Sequence, residues 1–394
     1  MHIAFYAPLK PPTHPHPSGD RRMARLLMAA LKRAGHEVTL ASRLRSYDRA
    51  GEALSQARIM ARGQAAARRL LARYQALPRA ERPALWFTYH SYYKAPDWLG
   101  PSVADGLGIP YVVAEASHAP KRAGGLWRQG HAASEAAIRR ADAIMVLNPA
   151  DCGCLMALLG GDGRLHALPP FLDAAAYAPP PSRAALRAAS ARRYSLGPDR
   201  VWLLSVAMMR AAEKLESYRL LASALARIAD PSWQLLIVGG GAAEVQVRAA
   251  FADFASDRVV FAGILAPDRL PALYAGADIF AWPAVGEAYG MALLEAQASG
   301  LPAVAGAYGG VGQLIADGRT GFLTPPGDVV AFAAALAELI AQPARRAAMA
   351  TAARARVLAG HDIVAASRLL DDVVRQAVAH QAVTHQAGER HGSA

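Results

Sequence analysis

The sequence predicts an α/β protein with two doubly wound parallel sheets, one in each half of the chain. Three observations carry this. Short apolar runs alternate with stretches of helical periodicity along most of the 394 residues, the pattern of strands joined by crossover helices. The scheme occurs twice, with a proline cluster and a short basic stretch between the copies. A chain of 394 residues is too long for one ordinary core, whereas two domains of roughly 150–200 residues suit it.

In the first half, strands are expected at 2–7, 37–41, 84–88, 110–115 and 143–148. A helix over about 20–34 ends in RAGHEV, with Gly35 as its cap. In the second half, strands are expected at 201–207, 234–239, 258–263, 278–283, 302–306 and 321–325. The stretch YAPPPSRAALRAASARRYSLGPDR, 177–200, reads as a linker with a short basic helix. Past 325 the chain is expected to be helical, near 328–341, 344–358 and 362–379. The domains are therefore 1–180, a linker over 181–200, and 201–360. A C-terminal helix over 361–381 is expected to return to the first domain, and the polar tail 382–394 to be disordered.

Lys and Arg number 43 against 31 Asp and Glu, a formal net charge of +12. The excess favours anionic partners such as nucleotide phosphates or an anionic membrane surface. Nucleic acid is not expected, because no zinc-finger, RNP-like or helix-turn-helix pattern accompanies the charge. Cys152 and Cys154, the two cysteines, make neither a disulfide framework nor a zinc spacing and read as packing residues. No apolar run reaches the ~18 residues of a membrane span, and the start MHIAFYAPLKPP leads straight into a strand. A cytoplasmic location is the expectation.

Ligands of such sheets bind beyond the carboxyl ends of the strands, so the residues there are the candidates. Glu287 and Glu295 stand in GEAYGMALLEAQASG, 286–300, the first in a strand-end loop and the second in a helix starting near Tyr289 or Gly290. The free N–H groups at that helix start form an anion site, and the small Ala288 and Gly290 let a phosphate approach. Flanking carboxylates suit the hydroxyls of a nucleotide-sugar; the plain alternative is two solvated glutamates. Arg210 and Lys214, where a strand passes into a helix, suit a diphosphate or form an exposed surface pair. The loop IVGGGAAE offers Gly239 and Gly240, or merely closes a strand.

The segment 286–328 resembles the nucleotide-binding signature, E-x7-E, of the family 4 retaining glycosyltransferases. SGDRRMARLLMAALKRAGHEV (18–38), RRADAIMVLNPAD (139–151) and the Arg210/Lys214 pair are similar to further parts of that family. The resemblance implies the GT-B fold, two facing Rossmann-like domains with a cleft between them. It implies that Glu287 contacts the donor sugar, that Glu295 holds the ribose, and that Arg210 and Lys214 hold the diphosphate. Gly19 falls in the family's glycine loop, where Ser18 replaces a usual glycine. His118, just past the fourth strand, takes the role of the family's histidine near the sugar and scissile phosphate; His90 and His131 are rivals that lack a matching strand-end position.

The expected reaction is transfer, with retention, from a nucleotide-diphosphate sugar to a hydroxyl of a cell-envelope glycan or lipid. Positioning and charge stabilisation would supply most of the barrier reduction. No Asp-x-Asp motif occurs in the chain, and neither a metal nor another cofactor is expected. The alternative is a non-catalytic nucleotide-sugar-binding protein on the same scaffold. A paired-carboxylate hydrolase would leave the cationic pair idle. Arg58, Arg62, Arg69 and Arg73 share one stripe of a helix within 57–82, a solvated face or a peripheral seat on anionic lipid at the inner face of the membrane.

Overall fold

A computed structural model describes residues 1–16, 18–287 and 289–391, with side chains described as far as Val383. The chain forms two compact units, Met1–Pro169 together with the segment from Ile363 onward, and Pro170–Asp362.

In the first unit the strands are β1 (His2–Tyr6), β2 (Glu37–Leu40), β3 (Leu85–Ser91), β4 (Tyr111–Ala116), β5 (Ala143–Val146) and β6 (Leu165–Ala167). All pair in parallel in the order β2-β1-β3-β4-β5-β6. Helices α1 (Gly19–Arg33), α2 (Ala53–Gln75), α3 (Gly100–Leu107), α4 (Arg128–Arg140) and α5 (Cys152–Leu159) wind around them. Ile3, Phe5, Trp86, Phe87 and Tyr111 are buried, as strands covered on both faces require. Ser18 caps α1, its hydroxyl accepting from the Arg21 N–H at 3.2 Å, and Met23, Leu27 and Leu31 form the stripe that α1 buries. Gly35, at φ +85, follows the cap residue Ala34 in the left-handed region.

The second unit holds β7 (Val201–Val206), β8 (Trp233–Val238), β9 (Val259–Gly263), β10 (Ile279–Trp282), β11 (Ala303–Gly306) and β12 (Gly321–Thr324). These are parallel in the order β12-β11-β10-β7-β8-β9. Its helices are α6 (Arg183–Tyr194), α7 (Glu213–Leu225), α8 (Glu244–Ala250), α9 (Leu270–Gly276), α10 (Met291–Ala298), α11 (Val311–Leu314), α12 (Val329–Ala341) and α13 (Pro343–Gly360). The last helix, α14 (Ile363–His391), belongs to the first unit and packs against α1 and β5, burying Leu370, Val373 and Val374.

Four expectations are corrected. The units meet at Pro169/Pro170 rather than at 180. Residues 181–200 are no linker: Arg183 and Arg187 of α6 bind the Asp278 carboxylate at 2.8 and 2.9 Å, which docks α6 on the second unit. Helix α14 runs on to His391, so 382–391 is helical, while 392–394 lie outside the described residues. Cys154 is exposed; Cys152 alone of the pair packs against the core. Among the described residues, no helix is long and apolar enough to cross a membrane.

Candidate functional site

In the second sheet the strand order reverses between β7 and β10, and loops leaving neighbouring strands in opposite directions open a crevice at their carboxyl ends. The loop after β7 carries Arg210, exposed, and leads into α7, whose first turn holds Lys214. The loop after β10 carries Glu287. Lys214 Nζ donates to Glu287 Oε2, with both side chains about four-fifths buried (18% and 20% exposed). Trp282 Nε1 lies 3.4 Å from the same oxygen, and the ammonium sits 5.3 Å from the Trp282 ring. Cation, carboxylate and indole thus form one cluster.

The β10–α10 loop is bent to bring Glu287 there. Ala284, Gly286 and Gly290 have φ of +60°, +63° and +74°, and a Cβ on Gly286 would lie 2.7 Å from Glu213 Cγ. The Ser217 hydroxyl accepts from the Val285 N–H at 3.0 Å and donates to the Glu213 carbonyl at 2.9 Å, tying the loop to α7. Gly290 in turn caps α10, whose first N–H groups face the loop end. Tyr289 is half-buried; Ala288 lies outside the described residues.

Gly239 and Gly240 follow β8. A Cβ on Gly239 would come 1.9 Å from the Ala207 carbonyl oxygen, and the Met209 N–H donates to the Gly240 carbonyl at 2.9 Å. The glycines let this loop lie directly on the backbone of the β7–α7 loop. They shape the segment that holds Arg210.

Glu295, on α10, is 4% exposed. The Tyr274 hydroxyl of α9 donates to its Oε2 at 2.8 Å, which meets part of the cost of burying a carboxylate. Tyr274 and Trp282 are the partners that the sequence reading missed. Each is an aromatic residue in an apolar run, and their polar tips give no signal until the chain is folded.

The first sheet reverses between β1 and β3, and there too a charged pair bridges the two strand ends. Gly19 and Asp20 open α1, and Asp20 Oδ1 lies 3.0 Å from His90 Nδ1 near the end of β3. His90 therefore does occupy a strand end, contrary to the ranking drawn from the sequence. Glu115, at the end of β4, approaches the same nitrogen at 3.9 Å. His90 and Glu115 both adopt positive φ, +59° and +60°, strain of the kind that clusters at functional sites. Burial alone would lower the His90 pKa, but Glu115 and Asp20 outweigh it and hold it above the ordinary 6.5. The stability from protonated His90 is thus fully present below 6.5 and is lost as pH rises through the raised folded value. Replacing His90 with Gln is expected to lower Tm more at pH 6 than at pH 9; an equal loss at both would contradict the charged pairing.

His118 is half-buried in the loop after β4. Its ring centroid lies 5.1 Å from that of His131, a residue of α4. Burial, then the neighbouring His131, push the His118 pKa below 6.5, leaving a neutral imidazole near pH 7. The structure brings Lys214 and Glu287 together, sets Arg210, Gly239 and Gly240 in the adjoining loops, and gives Glu295 to a separate contact with Tyr274. Gly19 and His118 belong to the first unit.

Two parallel six-stranded sheets, one in each unit and each wound with helices, are those of the GT-B fold. Residues 200–342, within the second unit, match the family model of glycosyl transferases group 1. The chain is 37% identical over 205 residues to a GDP-mannose-dependent alpha-(1-6)-phosphatidylinositol monomannoside mannosyltransferase of Mycolicibacterium smegmatis, covering 50% of this chain and 52% of that protein. It is 32% identical to a D-inositol 3-phosphate glycosyltransferase of Xylanimonas cellulosilytica, over 62% of this chain and 59% of that one. The matched stretches thus span about half the length of these curated relatives. The sucrose-phosphate synthase structure from Thermosynechococcus elongatus superposes with a TM-score of 0.70 at 22% identity, covering 96% of this chain and 99% of that one. That likeness gives the fold.

Proposed function

We propose that this chain is a retaining glycosyltransferase that moves a sugar from a nucleotide-diphosphate sugar to a hydroxyl of a cell-envelope glycan or lipid. The observation that carries the reading is the Lys214–Glu287 pair at the β7/β10 reversal, in a unit that matches the group 1 glycosyl transferases. Lys214, Arg210 and the N-terminus of α10 would bear the charge developing on the leaving diphosphate. Glu287 would accept hydrogen bonds from the sugar hydroxyls, and Glu295, steadied by Tyr274, from the ribose. Gly239, Gly240, Tyr289, Gly290 and Ala288 would complete the donor site, and Gly19 adds backbone room in the family's glycine loop. To His118 the resemblance gives a role at the sugar, and a neutral imidazole suits it, since it adds no charge. No protein nucleophile is required.

The names of the two curated relatives favour an inositol-containing or lipid acceptor. Arg58, Arg62, Arg69 and Arg73 are all exposed on α2, while Leu70 and Tyr74 are buried. That amphipathic division supports peripheral contact of a cytoplasmic enzyme with anionic lipid. A non-catalytic nucleotide-sugar-binding protein is the competing reading.

Because fixed cations and a helix N-terminus would neutralise the diphosphate, no metal should be needed at the donor site. GDP and UDP titrated calorimetrically into the protein in excess EDTA are expected to include at least one binder, with affinity unchanged by Mg²⁺ or Mn²⁺. Binding that appears only when the metal is returned would overturn this division of charge.

A further inference from the structure

The first unit holds a second cluster of titratable side chains. We propose that His118, His131 and Glu135 form a binding site for a transition-metal dication of the zinc class. His131 and Glu135 are four residues apart on α4 and so share one face, and the loop after β4 brings His118 to them. One ligand atom from each residue lies within 4.8 Å of the other two, and His131 Nδ1 is already 3.9 Å from Glu135 Oε2. Tetrahedral zinc, with bonds of about 2.0–2.1 Å, holds its ligand atoms about 3.4 Å apart. Small side-chain rotations close that difference.

Two further observations point to a ligand. His131 is 5% exposed, yet its Nε2 has no hydrogen-bond partner, an arrangement that is ordinarily unfavourable for a buried polar atom. Glu135 is divided in its duties: Oε1 takes Arg139 at 2.9 and 3.0 Å while Oε2 faces His131, so the guanidinium orients the carboxylate as outer partners of metal ligands do. Two imidazoles and one carboxylate suit zinc rather than magnesium or calcium, which take oxygen ligands. His118, half-exposed, gives the ion a way in and leaves a fourth position for water. The Arg139 charge works against the ion and sets a limit on affinity.

Zinc at this site would withdraw His118 from the reaction, so Zn²⁺ should inhibit an enzyme that chelators leave active. That consequence rests on the role proposed for His118; the site itself does not. The test uses the full chain with Cys152→Ser and Cys154→Ser, which removes the competing thiols, stripped with EDTA and exchanged into chelator-free buffer. Zn²⁺ is then titrated in competition with a chromophoric chelator, and Co²⁺ is followed by its visible absorption. A single zinc per chain is expected, with affinity lowered about tenfold or more by Glu135→Gln and by His131→Asn, and not displaced by millimolar Mg²⁺. Circular dichroism shows whether His131→Asn still folds; Glu135, one-third exposed, keeps the test sound if it does not. No uptake by the parent protein, or equal uptake by Glu135→Gln, would overturn the site. Stoichiometric binding without inhibition of donor turnover would uphold the site and overturn the role of His118.

Discussion

Replacing Glu287 with alanine is expected to lower sugar transfer on the order of a thousandfold while leaving free nucleotide bound as tightly as before. The carboxylate is assigned to sugar hydroxyls in the transition state, and loss of such a contact reduces kcat without a matching loss in ground-state affinity. Its removal also frees Lys214 from the ion pair, so the ammonium is more available to a diphosphate. Nucleotide affinity should hold or rise. Glu295→Ala should do the reverse: it removes the carboxylate that accepts from the Tyr274 hydroxyl and with it the proposed ribose contact, and weakens nucleotide binding about tenfold. Calorimetry with the free nucleoside diphosphate and steady-state rates with the donor separate the two. Equal nucleotide affinity in both variants would show that Glu295 has no part at the ribose.

The second large effect falls on a residue with no reactive side chain. Gly239 has φ +145, and a Cβ there would meet the carbonyl oxygen of Ala207 at 1.9 Å. That neighbour is backbone, held by the Ala207 N–H bond to the Val238 carbonyl, and it cannot swing aside as a side chain would. Gly239→Ala should therefore destabilise the second unit by roughly 3 kcal/mol or more, and it should displace the loop that carries Arg210. Gly263 is the control: it has φ +69 but nothing within 4 Å of its added Cβ, so Gly263→Ala should cost only about 1 kcal/mol. Urea midpoints of the two variants make the comparison. If they shift alike, the close approach of the two loops is not what the glycine is for.

Much of this was legible in the sequence for a physical reason. The six strands of the second sheet are continuous apolar runs because helices cover both faces, and each of the regions expected there overlaps a strand. Loops at a reversal of strand order must bear the ligand groups, so Arg210, Lys214 and Glu287 stood out by position along the chain. What stayed hidden is tertiary. Strand β6 has three residues, too few to show a period. The docking of α6 depends on Asp278, about ninety residues from its arginines, and basic residues between prolines read as solvated linker. The His90–Asp20 pair joins residues 70 apart, which no local pattern encodes. The buried Glu295 looked anomalous because its partner, Tyr274, lies on the preceding helix, across β10.

The central claim, that this chain transfers sugar from a nucleotide donor, is tested most directly by release of nucleotide from a panel of UDP-, GDP- and ADP-sugars incubated with the purified chain in EDTA. The account predicts that at least one donor is turned over, slowly to water and faster once a suitable acceptor is added. The released or transferred sugar should keep its anomeric configuration, and the Glu287→Ala variant should be slower on the order of a thousandfold. A donor that protects the protein against thermal unfolding without any nucleotide release would contradict it and leave a binding protein on a glycosyltransferase scaffold.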